Sequence, residues 1–318
     1  SGSACFLNAA VQLLRRAHIL RSLLENHEII TNLIPGPKER SLRRLYELIA
    51  KTGNDDVIDF RAFLFVFANL GADFLKCQQD SNEAVIKIFE AMLPSEVSSR
   101  FSISTFRREK CGVRDDCAGR ELPELPLDVG PIVYQYVTTP NQIVDLESRL
   151  SAEWKEDMDG IVNEEEIHCA FCCECCSKSP AHIAESCNCF EEKCTKSRQQ
   201  RFAVGEDAEY VIVPFSIRHV HGRYDWALRE NCNLDSIRLF GKAWSAVAII
   251  KHIGAAGENW SYGHYVAYTK EDDGQWWLHD DDKEPQSIGT SYSLRGCYSY
   301  SRGETDMEGV TAILFQKQ

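Results

Sequence analysis

The sequence has no run of about 18 uncharged apolar residues, so we expect no helix that crosses a membrane. Its first residues, Ser-Gly-Ser-Ala-Cys, lack the basic region and apolar segment of a secretory signal peptide. Positive charge is also scarce, because 35 Lys and Arg stand against 48 Asp and Glu, for a net charge of −13. Nucleic acid is therefore a poor default partner, and a basic protein or peptide segment suits this surface better.

The length of 318 residues permits one large domain or two modest ones. The chain is 44% hydrophobic and 26% charged, which is enough apolar material to bury a sizeable core. It contains no internal repeat and no low-complexity tract. We therefore expect a folded, globular protein rather than a disordered one.

Cysteine, by contrast, is abundant, with 14 residues of which ten fall between Cys111 and Cys194. Two interpretations compete: disulfides in a secreted chain, or reduced thiols and metal ligands inside a cell. Disulfide scaffolds are usually short chains with a secretion signal, and neither property is visible here. The pattern favours metal ligands or reduced thiols, and with them a cytoplasmic or nuclear location.

The first hundred residues indicate helices. Apolar side chains recur at helical spacing over residues 5–24, with Gln12, Arg15 and Arg16 facing elsewhere. A second helix is predicted over 81–93 and is ended by Pro94.

The rest of the chain indicates strands. From Phe101 the pattern changes to short, β-compatible pieces with cysteines between them. Residues 151–194 carry eleven carboxylates against three lysines and no arginine, which is typical of a projecting, solvated insertion. Apolar strand-like runs then follow at 210–213, 246–250, 265–268 and 311–315. Helices first and strands last predict an α+β fold.

Cys5 is a candidate nucleophile because it stands where the first predicted helix begins. The unpaired N–H groups of a helix N-terminus carry partial positive charge, which favours the thiolate form of a cysteine. The alternative is a small buried apolar residue, which by itself is the commoner role of a lone cysteine. A catalytic role requires a base nearby.

The candidate base is His264, at the start of a predicted hairpin. If that hairpin turns about Asp272, His264 faces Asp280 on the returning strand, with Cβ atoms about 4.5–5.5 Å apart. A carboxylate there could orient the imidazole and stabilise its charged form. Asp281 would point to the opposite face unless a bulge shifts the register. The alternative is a surface hairpin with an acidic tip.

A third feature is the segment Gln-Gln-Asp-Ser-Asn-Glu at 78–83, which opens the second predicted helix. Asp80 is a natural N-cap, and Glu83 stands three residues later in a capping-box relation. That structural role is sufficient by itself. The two carboxylates at one helix end could also hold a basic, extended peptide.

These pieces, in this order, resemble the ubiquitin-specific protease family, papain-like cysteine peptidases that cleave after the C-terminal glycine of ubiquitin. The cysteine box stands as Gly-Ser-Ala-Cys-Phe-Leu-Asn-Ala-Ala-Val-Gln at 2–12. The family's Gln-Gln-Asp-Ser-x-Glu segment stands at 78–83. The histidine box stands as Gly-His-Tyr-Val-Ala-Tyr at 263–268, followed by Trp-Trp at 276–277 and Asp-Asp at 280–281.

The resemblance implies a single catalytic domain over 1–318 with a hand-like, papain-type α+β architecture. Residues 1–100 would form a helical thumb, 101–205 cysteine-rich fingers, and 206–318 a β palm. The implied activity is cysteine-type deubiquitination, that is, hydrolysis after the C-terminal glycine of ubiquitin or a ubiquitin-like modifier. The implied partner is that modifier and its conjugates, with no nucleic acid and no membrane, for a protein that acts as a monomer.

Residue by residue, the resemblance implies Cys5 as the nucleophile, His264 as general base and acid, and Asp280 as the residue that orients the imidazole. The substrate-binding positions that match are Gln79, Asp80, Glu83 and Tyr265, of which Asp80 and Glu83 would hold the extended, arginine-bearing tail of ubiquitin.

Three departures from the family pattern bear on activity. The family's oxyanion-donating asparagine, five residues before the cysteine, would precede Ser1, so either the sequence is trimmed or backbone N–H groups near Cys5 act instead. His279 replaces the usual residue before the carboxylates, and Asn82 replaces a frequent histidine. The alternative function is therefore a catalytically weak or inactive ubiquitin-binding scaffold of the same fold.

Many family members also hold a structural zinc ion between two Cys-x-x-Cys pairs, which is what the resemblance implies here. The first pair would be Cys111 and Cys117, with five intervening residues rather than two. The second lies in a run with three overlapping registers, of which Cys172 and Cys175 are the predicted choice. Two or more zinc ions are an open alternative. A zinc-finger nucleic-acid binder is disfavoured by the acidic surroundings.

Overall fold

The computed structural model of the protein describes residues 5–18, 20, 80–92, 99–111, 128–130, 142–156, 196–215, 226–228, 233–253, 263–281, 283–290 and 309–318. Within these ranges the chain forms three helices and thirteen strands, and none of the helices is long and apolar enough to cross a membrane. The helices are α1 (Cys5–Arg15), α2 (Ser81–Met92) and α3 (Leu146–Arg149). The strands are β1 (Ile103–Cys111), β2 (Asp128–Gly130), β3 (Gln142–Val144), β4 (Lys155–Glu156), β5 (Lys196–Val204), β6 (Tyr210–Pro214), β7 (Trp226–Leu228), β8 (Ile237–Leu239), β9 (Lys242–Ile253), β10 (His264–Lys270), β11 (Trp276–His279), β12 (Gln286–Gly289) and β13 (Val310–Lys317).

The largest sheet has seven strands in the order β12-β11-β10-β9-β13-β6, with β8 also paired to β9. Every pairing in it is antiparallel. The four apolar runs predicted as strands lie in β6, β9, β10 and β13, which belong to this sheet. Their side chains form much of the main hydrophobic core. Antiparallel sheet with few helices is the observed form of the predicted α+β layout.

A second sheet has four strands in the order β2-β1-β5-β4. Strands β1 and β5 pair along nine residues each, from Ile103↔Val204 to Cys111↔Lys196. The sequence predicted only short β pieces here, because the polar run in β1 shows no apolar alternation. The partner strand begins only at Lys196, so local patterning could not reveal the ladder. The division into thumb, fingers and palm stays a prediction.

Helix α1 is buried on nearly all sides, and ten of its eleven residues are shielded from solvent. It packs against α2 and across β10 and β9. Two details differ from the prediction for residues 5–24. The helix ends at Arg15, where bonds from Arg16 N to Leu13 O and from Ala17 N to Leu14 O tighten the last turn. The polar residues Gln12, Arg15 and Arg16, which were expected to face away from the apolar side chains, are buried as well.

Helix α2 begins as predicted. The Asp80 carboxylate accepts a hydrogen bond from the Asn82 N–H at 2.9 Å, which is the N-cap contact. The first turn is then attached to the large sheet by two contacts: Ser81 Oγ to Thr311 Oγ1 at 3.1 Å, and Asn82 Nδ2 donating to Phe215 O at 3.0 Å. The start of α2 is therefore held beside β13 and near α1.

Gly309, immediately before β13, is held against the backbone of β9. Its φ of +74° is left-handed, and its carbonyl accepts from the His252 N–H at 2.7 Å. A Cβ atom at Gly309 would overlap the His252 carbonyl oxygen, which is backbone and cannot turn away. Glycine is therefore required here for two separate reasons, conformation and space.

Gly309→Ala should therefore lower the free energy of unfolding more than Gly274→Ala does. Gly274 has a similar φ of +83° but no atom within 4 Å of the position that a Cβ would take, so it isolates the conformational cost of about 1–2 kcal/mol. The clash at Gly309 should add about 1–3 kcal/mol. Equilibrium urea unfolding of the two variants measures the difference, and equal losses would contradict the close approach.

Candidate active site

Three side chains from distant parts of the chain meet at one end of α1. Cys5 is the first residue of the helix, His264 is the first residue of β10, and Asp280 directly follows β11. His264 Nε2 lies 2.6 Å from Asp280 Oδ1. The Cys5 sulfur lies within 4.8 Å of a ring nitrogen of His264. The structure thus brings together the three residues that the sequence proposed as nucleophile, base and orienting carboxylate.

The hairpin that joins His264 to Asp280 differs by one residue from the predicted register. Strands β10 and β11 pair as Ala267↔His279 and Lys270↔Trp276, so the turn is centred on position 273 rather than 272. Continued by one residue, this register sets Asp280 beside Val266, diagonal to His264 and on the same face. The predicted direct opposition is wrong. Moving the centre of the turn by one residue shifts the partner of each strand residue by two positions. Because side chains alternate between the two faces of a strand, a shift of two positions leaves Asp280 on the same face as His264.

Asp281 also reaches the imidazole, contrary to the expectation that it points to the opposite face. Its φ of +36° turns the chain out of strand geometry shortly after β11. One carboxylate oxygen, Oδ2, lies 3.7 Å from His264 Nδ1. The other, Oδ1, accepts a hydrogen bond from Asn8 Nδ2 at 3.1 Å. Two carboxylates therefore flank the ring, one at each nitrogen.

Lys283 holds the far oxygen of Asp280. Its Nζ lies 2.5 Å from Asp280 Oδ2, and its backbone N–H donates to the Asp280 carbonyl at 2.8 Å. The Asp280 carboxylate is itself buried, so this second positive charge compensates it in a place that water reaches poorly. The consequence is geometric as well: with Oδ2 engaged, Oδ1 faces His264.

These neighbours favour the charged imidazole. The pKa of His264 is raised from 6.5 to about 9, chiefly by the hydrogen bond with Cys5, then by Asp280 and by the charge of Asp281, while burial acts in the opposite direction. With Nε2 engaged by Asp280, Nδ1 is the ring nitrogen left to exchange a proton with Cys5. The site therefore holds a proton on His264 at neutral pH.

Of the predicted substrate-binding residues, Tyr265 and Asp80 lie beside this group. Tyr265 follows His264 in β10 and is buried; burial raises its pKa well above the ordinary value, and the nearby Asp80 charge raises it further, although hydrogen bonds with Ser81 oppose this. Glu83 lies in the first turn of α2, half-buried. Gln79 lies outside the described residues. The N-terminal end of α2 and the start of β10 thus adjoin the same site.

A second buried histidine, His252 in β9, packs against β10. His252 pairs with Tyr265 in the β9–β10 ladder, and the two ring centroids lie 4.5 Å apart. Burial, then the charge of His264, lowers the pKa of His252 to about 4, so it is neutral. Its ring fills the space where a Cβ of Gly263 would stand. The position immediately before His264 therefore requires glycine, because a side chain there would overlap the His252 ring.

Within the described part of the chain, one group of side chains could hold a metal ion. Ligand atoms of Cys5, His264 and Asp281 all lie within 4.8 Å of one another. Of the predicted zinc ligands, Cys111 is the last residue of β1, opposite Lys196. Cys117, Cys172 and Cys175 lie outside the described residues, so the zinc site stays a prediction.

Sequence reasoning missed three contributors: Asn8, Asp281 and Lys283. Asn8 was visible only as part of the cysteine box, and its contact spans 273 positions of sequence. Regular strand geometry predicted that Asp281 lies on the face opposite His264, so no contact with the imidazole ring was expected. Lys283 lies three residues after Asp280, but the chain there is a turn and not a helix, so the spacing alone did not predict the ion pair.

The fold is similar to that of solved deubiquitinase modules. A chain of the SAGA Ubp8/Sgf11/Sus1/Sgf73 DUB module bound to ubiquitin aldehyde matches 100% of this chain and 68% of its own length, at 13% identity and a TM-score of 0.59. The same module with a cysteine-to-alanine substitution in Ubp8, bound to monoubiquitin, matches 100% of this chain and 67% of its own, at 12% identity and a TM-score of 0.60. A yeast SAGA module that carries a point mutant of Sgf73 gives 13% identity, 100% and 67% coverage, and a TM-score of 0.59.

No family model matches the sequence, and no curated protein matches it. At such low identity the likeness to the solved modules shows the fold alone.

Removal of each of the three partners of His264 should lower the pKa of the imidazole, and by a different amount for each partner. Cys5→Ala should lower it most, Asp280→Asn next and Asp281→Asn least, because each removes a contact that favours the charged ring in that order. NMR titration of the imidazole resonances measures each value. Asp235→Asn, which removes a carboxylate paired to Lys270 instead, should leave the His264 pKa unchanged. A larger shift for Asp281→Asn than for Asp280→Asn would reverse the assignment of the orienting carboxylate.

Proposed function

We propose that this protein is a cysteine-type deubiquitinase that hydrolyses the bond after the C-terminal glycine of ubiquitin or a ubiquitin-like modifier. The observation that carries the proposal is the meeting of Cys5, His264 and Asp280, with the 2.6 Å contact between imidazole and carboxylate. A thiol, a base and an orienting carboxylate are the parts that nucleophilic acyl transfer needs. The fold shared with ubiquitin-bound modules supports the choice of substrate.

In the first step the Cys5 sulfur attacks the glycyl carbonyl carbon while His264 holds the thiol proton. The C–S bond forms, and the carbonyl electrons move to oxygen. Collapse of this intermediate breaks the C–N bond, and His264 gives its proton to the leaving amine. The products are a thioester on Cys5 and a free amine. The raised pKa of His264 serves this step, because the ring must carry the proton until the amine leaves.

In the second step water attacks the thioester, and His264 accepts a proton from that water. The C–S bond breaks, the modifier leaves as a carboxylic acid, and Cys5 departs as a thiolate beside the protonated His264, which restores the starting state. The N–H groups at the start of α1 are backbone donors close to the reacting carbonyl, because Cys5 opens that helix. They would stabilise the developing oxyanion, a role in which one donor is worth about 10²–10³ in rate.

Recognition of a basic, extended tail would fall to the carboxylates at the start of α2. Asp80 lies close enough to Tyr265 to raise its pKa, and Tyr265 is adjacent to His264 in β10. Asp80 is also the helix N-cap, so its position is set by the backbone. Glu83 is about one turn further on. A tail that runs past these carboxylates would arrive at Cys5 with its C-terminal glycine.

A zinc ion held by Cys111, Cys117, Cys172 and Cys175 belongs to the same proposal. Four thiolates are a ligand set that tetrahedral structural zinc prefers. Cys111 is itself a strand end, and the other three lie in the chain between it and its partner Lys196, so the ion would close the segment that leaves β1 and returns to β5. Its role would be structural, and no step of the reaction depends on it.

Cys5→Ala should abolish turnover and leave modifier binding intact, because the side chain that it removes is small, buried and at the reacting end of α1. The wild-type protein should form a covalent adduct with a ubiquitin propargylamide probe, read as a mass increase on the peptide that contains Cys5. Binding is measured by isothermal calorimetry with ubiquitin.

The control for that experiment is His264→Ala, which keeps the thiol and removes its base. It should react with iodoacetamide but not with the probe. If the wild-type protein binds ubiquitin and forms no adduct, the protein is a ubiquitin-binding scaffold and not an enzyme. If a panel of probes reacts only with another modifier, that modifier is the substrate.

Removal of zinc should lower the melting temperature, because the binding energy of a structural zinc ion is part of the folding energy. It should slow the hydrolysis of a whole modifier more than it slows the alkylation of Cys5 by a small reagent, because the ion would lie far along the chain from α1. Elemental analysis should find at least one zinc per chain, and Cys111→Ser should destabilise the fold more than Cys77→Ser. A metal-free preparation with full stability and activity would contradict the zinc assignment.

A further inference from the structure

An ion-pair cluster joins the far end of α1 to the tip of the β10–β11 hairpin. Arg16 Nη1 lies 2.8 Å from Glu271 Oε2, and Nη2 lies 3.1 Å from Asp272 Oδ1. Arg16 directly follows the helix that carries Cys5, and the two carboxylates belong to the hairpin that begins with His264. The cluster is therefore a second connection between the two elements of the site.

Glu271 makes the sheltered half of this contact. The Arg16 side chain is 3% exposed and that of Glu271 is 16% exposed, so water and salt screen their attraction weakly. Asp272 is 71% exposed and also faces His18 Nε2 at 3.3 Å, so its pairing with Arg16 is screened. The Arg16–Glu271 pair therefore contributes most of the attraction. Asp272 contacts the other terminal nitrogen and so helps to orient the guanidinium group, whose two nitrogens form a fork.

The spacing of Cys5 and Arg16 makes this contact relevant to the site. Cys5 opens the eleven-residue helix α1 and Arg16 directly follows its last residue, so the two side chains mark opposite ends of the helix. They are about 16 Å apart along the axis. Strand β10 packs beside the helix, from His264 near Cys5 to the turn that follows Lys270 near Arg16.

The two elements are thus joined at both ends. At the site end, Asn8 donates a hydrogen bond to Asp281, and the Cys5 sulfur lies within 4.8 Å of a ring nitrogen of His264. At the far end, the fork of Arg16 spans two successive carboxylates. A helix held at one end only could rotate about its axis within an apolar groove, because apolar packing is not directional. A two-pronged guanidinium contact opposes that rotation.

The cluster continues inside the hairpin toward Asp280. Glu271 Oε1 accepts from Thr269 Oγ1 at 3.4 Å, and Thr269 Oγ1 lies 2.8 Å from His279 Nε2. His279 is buried and directly precedes Asp280. The side chain that departs from the family pattern at 279 therefore has a partner here, in a polar chain that links Arg16 to the strand that presents the orienting carboxylate.

We propose that Arg16, through Glu271 and Asp272, is a positioning residue that fixes the rotation of α1 at which Cys5 faces His264. It touches neither the substrate nor the reacting atoms. Its effect is on alignment, and a misplacement of about 1 Å can cost about 10²-fold in rate. The inference deepens the proposed function and rests on it for its kinetic readout.

The test uses Arg16→Met, which keeps the aliphatic stem and removes the ion pairs. On a ubiquitin aminomethylcoumarin substrate, kcat should fall about 10- to 100-fold, with KM unchanged within about twofold. Lys270→Met is the matched control. It also removes an ion pair at this end of the hairpin, in which Lys270 Nζ lies 2.7 Å from Asp235 Oδ1, but that pair does not involve α1. Its kcat should stay within about twofold of wild type.

The partner side supplies the second arm. Glu271→Gln with Asp272→Asn should reproduce the loss in kcat, and adding Arg16→Met to that pair should cause little further loss, because the interaction is already gone. Arg16→Lys should be intermediate, since an ammonium cannot span both carboxylates as a fork does. Arg16→Lys also serves as the readable variant if Arg16→Met does not fold.

A third readout does not involve ubiquitin. The rate of Cys5 alkylation by iodoacetamide, followed against pH, reports the coupling of the thiol to His264. In Arg16→Met its profile should approach that of His264→Ala, whereas Lys270→Met should retain the wild-type profile. If the wild-type protein turns over no modifier, the proposed function fails and these profiles still decide the role of Arg16. Equal kcat in Arg16→Met and Lys270→Met, or wild-type alkylation profiles in both, would overturn it.

Discussion

The packing of α1 across β10 is the contact on which the site depends. Cys5 and His264 lie on elements that are widely separated in sequence, and neither element could form the site alone. Nearly every residue of α1 is buried, so the helix cannot leave the sheet without opening the core, while polar contacts at its two ends oppose rotation about its own axis. The large sheet provides the rigid surface, because β10 is an interior strand between β9 and β11.

Charge balance in the site follows from this packing. One imidazole lies among a thiol and two carboxylates, and Lys283 compensates one of those carboxylates from outside. The buried histidines nearby behave in the opposite way: burial lowers the pKa of both His252 and His279 to about 4, so they remain neutral. Among these three histidines, the positive charge is thereby confined to His264. The opposing shifts reflect partners in one case and desolvation in the other.

Several parts of the structure could be predicted because their signals are local. The apolar runs in β6, β9, β10 and β13 appear where the sequence indicated strands, since buried strands need apolar side chains on both faces. The N-cap at Asp80 could be predicted because capping is a contact between residues two positions apart. The shared face of His264 and Asp280 followed from the two-residue period of a strand, which survived an error in the centre of the turn.

The sequence by itself determined four strands of the large sheet, the start of α1 and α2, and the residue types that acyl transfer requires. Only the tertiary structure decided the left-handed turn that brings Asp281 to the ring, the long pairing of β1 with β5, and the burial of Arg16 against Glu271. The reason is physical. Periodicity and capping act over a few residues, whereas ladders and ion pairs between remote segments depend on which faces the folded chain brings into contact, and a local pattern carries no information about that choice.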